Sequence, residues 1–173
     1  MNVDLLKPGT KNELYAAIAS MGAYRALGLD GLTPLFYQSN LNALKTDVVE
    51  GFNSFLSRGH LLKSLNQTNL VLIPKMKRLT KVSQFCPIAL CNMIYKNFSK
   101  VIANRLKVFL LKLISENQSA FVHHRMIQDN VILAHVLIHV MTTEKRKEKH
   151  LALKLDMAKT YDRVEWKFQE TML

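Results

Sequence analysis

Residues 68–91 read TNLVLIPKMKRLTKVSQFCPIALC, and this stretch decides the fold class of the chain. Thr68 to Ile73 is a short apolar run of strand-forming residues stopped by Pro74, and Gln84 to Leu90 is a second run interrupted by Pro87. Two such runs around a polar connector predict a β-hairpin. The connector carries Lys75, Lys77, Arg78 and Lys81, so the hairpin has a basic tip.

Outward from the hairpin, helical patterning dominates. Upstream, Thr10-Lys11-Asn12-Glu13 is a capping box after Pro8-Gly9, and Leu14, Ile18 and Met21 follow at helical spacing. This predicts a helix over about 11–26. Gly28-Leu29-Asp30-Gly31 ends it with two residues free to take positive φ, and Thr33-Pro34 starts another helix with a side-chain cap and a pre-set first turn. Leu35, Phe36, Leu41, Leu44, Val48, Phe52 and Phe55 carry that helix to about Ser57.

Downstream, Asn92 to about Ile114 is a long amphipathic helix, with Ile94, Phe98, Val101, Ile102, Leu106, Phe109 and Leu113 in helical period. Its other face shows Lys96, Lys100, Arg105, Lys107 and Lys112. Ser115 to Arg125 reads as a loop, and Ile127 to about Thr143 as a helix with Ile132, Val136 and Val140 inward. Glu144 to Lys149 is a charged turn. Leu151 to Asp156 alternates into a strand with an acid at its carboxyl end, and Val164 to Leu173 begins a last helix. The expected class is therefore α+β and helix-rich. No internal repeat appears, and the sharpest change of texture falls near Arg58.

Length and apolar content suit one ordinary domain. No run of eighteen apolar residues exists and Met1 to Thr10 is polar, which argues against a membrane span or secretory signal and for a soluble, intracellular chain. Cys86 and Cys91 fit neither a zinc knuckle nor a redox pair and read as small buried thiols.

The net charge of +11 is unevenly spread. No acidic residue lies between Glu50 and Glu116, a stretch that holds eleven Lys and Arg residues and so accounts for the whole net charge. A polyanion partner follows, because each cation that neutralises a phosphate releases condensed counterions.

Several chemistries are disfavoured. His135 and His139 have metal-ligand spacing on a helix, but no Glu follows the first and no third ligand is evident. His123-His124 sits in a loop beside Arg125 and reads as solvated. No glycine follows Gly59, and the six glycines never fall at the spacing of a phosphate-cradling loop. The segment from Leu155 through Trp166 differs in kind. An acid at the end of an apolar strand, with an aromatic five residues on at Tyr161, can hold a divalent metal while the ring packs beside a bound sugar. A strand-end Asp that caps the next helix is the plainer reading of the same residues.

Five segments taken in order and spacing resolve that choice: Leu70 to Lys75, Phe85 to Asn92, Lys100 to Leu106, Ile114 to Val122, and Leu153 through Val164. Together they resemble the non-LTR (LINE-type) retrotransposon reverse transcriptases abundant in plant genomes, over about Met21 to Trp166. The resemblance implies a right-hand polymerase. Its parts would be a helical N-terminal extension over 1–58, fingers and fingers/palm helices over 59–149, and the first palm strand with the first catalytic motif over 150–173.

Carried over by position, Asp156 is the catalytic, metal-binding aspartate and Met157 offers its backbone carbonyl to the same Mg²⁺. Tyr161 is the aromatic that excludes a ribose 2′-hydroxyl. Arg125 contacts the triphosphate, and Lys75, Lys77, Arg78 and Lys81 contact template. The implied partners are an RNA template, an RNA/DNA hybrid and deoxynucleotides, and the family's activity implies the nucleus. Asp162 would orient the following helix.

Departures accompany the likeness. The family usually has arginine at Cys86, Pro-Gly at His123-His124, and alanine at Thr160. The lost cation should weaken triphosphate binding or fingers packing, and the lost turn glycine removes a residue suited to positive φ. These departures fit drift in an element no longer under selection. The family's second catalytic motif, an aromatic-Ala-Asp-Asp turn, and the thumb are not found in the sequence. Two metals need more than one carboxylate, so the expectation is an inactive fragment of an RNA-directed DNA polymerase. The rival expectation is a basic nucleic-acid-binding module without catalysis.

Overall fold

The computed structural model describes residues 2–143, 151–157 and 163–172. The chain divides into two units, Met1–Gln118 and Ser119–Leu173. The first holds helices α1 (Asn2–Leu5), α2 (Lys11–Ala19), α3 (Pro34–Ser39) and α4 (Leu41–Arg58), strands β1 (Thr68–Pro74) and β2 (Phe85–Cys91), and helix α5 (Met93–Leu113). The second holds α6 (Ile127–Thr143) and α7 (Trp166–Met172).

The capping box forms as the sequence predicts. Glu13 N–H donates to Thr10 Oγ1 at 3.2 Å, and Thr10 N–H donates to Glu13 Oε2 at 3.0 Å. The helix it starts is shorter than its periodicity suggests and ends at Ala19, not near 26. Ser20 caps it by donating its hydroxyl to Ala17 O at 2.8 Å, an alternative to continued helix. Met21 still packs inward with Ile18, Tyr37 and Met93, so the side-chain pattern outlasts the backbone that suggested it.

The predicted helix over about 33–57 is two helices. Asn40 breaks it: its Nδ2 donates to Phe36 O at 2.9 Å and its own N–H goes to the same carbonyl at 3.1 Å. A short amide side chain competes here with the helical ladder. α4 then stops where Gly59 takes φ +71° and donates its N–H to Phe55 O at 2.9 Å.

The core lies between α2, α4 and α5. Leu14, Ala17, Val48, Phe52, Phe98 and Val101 form one buried cluster, and Ile18, Met21, Tyr37 and Met93 another. Phe52 meets Phe98 edge-on with centroids 5.1 Å apart. Each buried Leu, Ile, Val, Phe or Met among them contributes about 1.5 to 3 kcal/mol by leaving water. One polar side chain is fully buried among them: Asn97, whose Oδ1 and Nδ2 have no hydrogen-bond partner among the described residues.

Arg105 ties the N-terminus to this core. Its Nε and Nη2 donate to the two carboxylate oxygens of Glu13, each at 2.9 Å. Nη1 donates to the carbonyls of Leu5 and Lys7 at 2.9 and 2.6 Å, and Nη2 to that of Pro8 at 3.3 Å. The guanidinium also lies 5.5 Å from the centre of the Phe52 ring. These bonds hold the Glu13 carboxyl down at about 2, against an ordinary 4.5, with Arg105 as the largest cause. Arg105 is thus removed from the cationic face that its helical period suggested. An amphipathic pattern cannot show that a distant Glu and three carbonyls converge on one of its cations.

A second junction locks the loop before α3 to the start of α5. Asp30 Oδ2 accepts from Met93 N–H at 3.0 Å, and Asn92 Oδ1 accepts from Asp30 N–H at 3.2 Å. Asn92 Nδ2 in turn donates to Ser64 O at 3.0 Å. Gly28 allows the approach, since a Cβ there would lie 2.6 Å from the Asn92 backbone. Of the two glycines expected at positive φ, Gly31 takes it at +64°, while Gly28 serves close packing.

The hairpin forms with Thr68 opposite Cys91 and Pro74 opposite Phe85. Both strands are edges, so Pro87, opposite Leu72, can lack an N–H without breaking a larger sheet. The ribbon is exposed along nearly its whole length. Cys86 is consequently exposed rather than buried, and Cys91 is half-buried. A two-stranded sheet cannot cover its own faces.

The second unit departs most from its reading. α6 has the expected extent, but Ile132, Val136 and Val140 are exposed rather than inward. Its apolar residues surround the helix, so no single stripe faces one neighbour. Leu151 to Asp156, expected as the first palm strand, belongs to neither strand nor helix. A strand exists through its ladder, and no partner strand adjoins it among the described residues. Among the described residues no helix is long and apolar enough to cross a membrane.

Candidate nucleic-acid interface and metal ligand

The hairpin gathers four of the expected site residues on one loop. Lys75, Lys77, Arg78 and Lys81 are all exposed between β1 and β2, and none is ion-paired among the described residues. The loop is ordered by Gln84, a residue the sequence reading passed over. Its Oε1 accepts from Thr80 N–H at 2.7 Å and Lys81 N–H at 2.9 Å, and its backbone carbonyl accepts from Lys75 N–H at 3.0 Å. The available signal was a Gln three residues after Lys81, the spacing of a short capped turn. With its backbone held, the tip keeps its cations in place, so that fixing them on any ligand costs less entropy than in a loose loop.

The rest of the cationic face divides. Lys100 is half-buried and Lys107 and Lys112 are exposed on α5, but Lys96 donates its Nζ to Ala26 O at 2.7 Å. Arg105 is engaged with Glu13, as above. The local acid-free composition remains, since no carboxylate lies between Glu50 and Glu116 to oppose phosphate.

In the second unit, Asp156 is exposed beside Met157, so one carboxylate and one backbone carbonyl adjoin. Oxygen donors of this kind suit a hard cation such as Mg²⁺. Among the described residues no three His, Cys, Asp or Glu side chains cluster to hold a metal, His135 and His139 included. Asp156 and Met157 therefore fit one end of a metal site and do not complete it. Arg125 is half-buried and donates its N–H to Val122 O at 3.3 Å. Tyr161, Thr160 and Asp162 lie outside the described residues.

The loop before Arg125 bears out the concern about its missing glycine. His124 adopts φ +65° and Phe121 φ +63°, the left-handed region that non-glycine residues enter at a cost. The rings of His123 and His124 pack with centroids 3.9 Å apart.

Residues 73–172 match the family described as reverse transcriptase (RNA-dependent DNA polymerase). Over 162 residues, 93% of the chain, it is 35% identical to the transposon TX1 uncharacterized 149 kDa protein of Xenopus laevis. The chain spans 12% of that protein's length. It belongs to the reverse transcriptase family, as a segment of the non-LTR retrotransposon type.

Proposed function

We propose that these residues are the fingers and opening palm of an RNA-directed DNA polymerase, and that the hairpin tip contacts the nucleic acid it copies. The observation that carries this is the tip itself: four exposed cations, without an ion pair among the described residues, on a Gln84-ordered loop within the family's matched region. In the right-hand layout, 1–58 is the helical N-terminal extension, 59–149 the fingers and fingers/palm helices, and 150–173 the start of the palm. The partners are an RNA template, an RNA/DNA hybrid and deoxynucleotides, and copying at genomic DNA would place the protein in the nucleus.

In this reading Asp156 and the Met157 carbonyl hold one Mg²⁺, with Arg125 on the triphosphate and Tyr161 against the sugar. When bound, the ion polarises the phosphate under attack by a primer 3′-hydroxyl. The chain's own contribution is placement, since positioned cations neutralise phosphate charge and hold the template in register. With one carboxylate at the Asp156 end, the 173-residue chain assayed alone should extend no primer.

The test is single-stranded RNA binding across a salt series. Four tip contacts at about −0.7 each predict affinity falling by roughly 3 log units per tenfold rise in salt. Reversal of Lys75, Lys77 and Arg78 to glutamate should remove most of that slope. The same change at Lys145, Arg146 and Lys147, where Glu144 and Glu148 lie among the cations, should matter less. Equal losses from both triplets would mean that only net charge is sensed, and a slope near zero would remove the reading.

A further inference from the structure

The hairpin tip holds a hydroxyl that none of the chemistry above uses. In Lys75-Met76-Lys77-Arg78-Leu79-Thr80-Lys81, Thr80 follows Arg78 by two positions and Lys77 by three, with further cations at Lys75 and Lys81. Thr80 is exposed and lies outside helix and strand. Its N–H goes to Gln84 Oε1 at 2.7 Å, and its hydroxyl enters no hydrogen bond among the described residues. We propose that Thr80 is a phosphorylation site for a protein kinase directed by basic residues, and that the phosphate switches off polyanion binding at this tip. The switching half rests on the nucleic-acid reading above; the site itself does not.

Three conditions meet at Thr80 and at no neighbouring hydroxyl. A phosphoacceptor must be reachable in an irregular segment, which excludes Thr68, whose Oγ1 donates to Cys91 Sγ at 3.5 Å from within β1. It needs cations just before it for the carboxylates of a basic-directed kinase, where a planar guanidinium pairs best. Arg78 and Lys77 supply them, whereas Ser83 has Lys81 alone at the corresponding near position and sits in the turn Val82–Gln84. The Thr80 hydroxyl must also be available, and it enters no hydrogen bond among the described residues. In the transfer, Thr80 Oγ1 attacks the γ-phosphorus of ATP. The new O–P bond forms as the bridging β–γ P–O bond breaks, ADP leaves, and the hydroxyl proton passes to the kinase's basic carboxylate.

The consequence is electrostatic. A phosphothreonine adds about −1.5 to −2 charges beside Lys77, Arg78 and Lys81 and offers them three acceptor oxygens. Roughly two of the tip's four cations would then be neutralised within the loop and lost to RNA. At about −0.7 per contact the salt slope should become shallower by roughly 1.4, and affinity near 0.15 M salt should fall roughly tenfold.

The experiment takes the 173-residue chain, a basic-directed serine/threonine kinase and ATP, maps the phosphate by mass spectrometry, and titrates a single-stranded RNA at several salt concentrations. Thr80→Val removes the acceptor and Ser83→Ala tests the neighbour; both positions are exposed, and circular dichroism checks that the fold is kept. Phosphate on Thr80, retained in Ser83→Ala and lost in Thr80→Val, with the tenfold drop, supports the proposal. Phosphate confined to other residues overturns it, as does unchanged affinity of the Thr80-phosphorylated chain when the unmodified chain binds. An unmodified chain that binds no RNA overturns the nucleic-acid reading and the switch with it, while phosphate on Thr80 would still support the site.

Discussion

The two units of this chain are comparably apolar in sequence and differ in what they bury. In the first, Leu14, Ala17 and Phe52 are wholly inaccessible, and the polar groups around them are largely answered by Arg105, Asp30 and Asn92. In the second, α6 buries no residue, although Ile132, Leu133, Val136, Leu137 and Ile138 follow one another along it. Apolar content alone therefore does not make a core. α4 and α5 each turn an apolar face into a shared cluster through Val48, Phe52, Phe98 and Val101, whereas α6 is apolar all round, the character of a helix covered on several sides.

Hydrogen exchange on Phe52→Ala is the strongest way to break this contrast. Phe52 is 0% exposed at the centre of the first unit and touches Phe55, Phe98 and the Arg105 guanidinium. Truncating such a ring costs about 3 to 5 kcal/mol, a large part of a small unit's stability. Amides of α2, α4 and α5 should lose protection in the variant, and those of α6 should exchange fast in both proteins. Slow exchange of α6 in the parent chain would show that exposure misjudges its stability.

Arg105→Met should cost somewhat less, about 3 kcal/mol, read as a shift of the urea midpoint. The variant keeps the aliphatic volume near Phe52 but frees the Glu13 carboxylate and three carbonyls that the guanidinium gathers. Acid gives the same pair a milder test. Glu13's carboxyl is lowered in the folded chain from 4.5 to about 2, so its contribution is full above about pH 4.5 and disappears as pH falls toward 2. Because that carboxylate is 37% exposed, solvent screening reduces the loss to about 1 to 2 kcal/mol. Glu13→Gln should flatten stability across this window; an unchanged acid limb would place the titration elsewhere.

What the sequence made legible follows from the range of the forces involved. The capping box, the hairpin with its basic tip, and α5 with its apolar face are local patterns, and each forms at nearly its expected residues. The errors lie where one position answers to a distant one. The predicted extension of α2 stops at a Ser20 cap as the chain turns toward the Asp30–Asn92 junction, and Arg105 turns from a surface cation into an anchor for Glu13, 92 residues away. At the candidate site the tip cations were legible because they adjoin in sequence, whereas Gln84's hold on the loop depends on a turn that composition does not mark.

The smallest expected effect sharpens the contrast inside the second unit. His124 sits at φ +65° in the loop before Arg125, where a Cβ crowds the following carbonyl and costs roughly 1 to 2 kcal/mol. Glycine removes that cost but adds freedom to the unfolded chain, which returns about 0.5 to 1 kcal/mol. His124→Gly should therefore stabilise the loop by about 0.5 to 1 kcal/mol net, even though it gives up the ring contact with His123. The reporters are the amides of Val122 and Arg125, which close the loop onto Ser119 O and Val122 O. Their exchange should slow roughly two- to fivefold, the rate equivalent of that gain. His124→Asn, which tolerates the left-handed region better than histidine but less well than glycine, should fall between. Faster exchange in the glycine variant would mean that the histidine pair, and not backbone conformation, holds this turn.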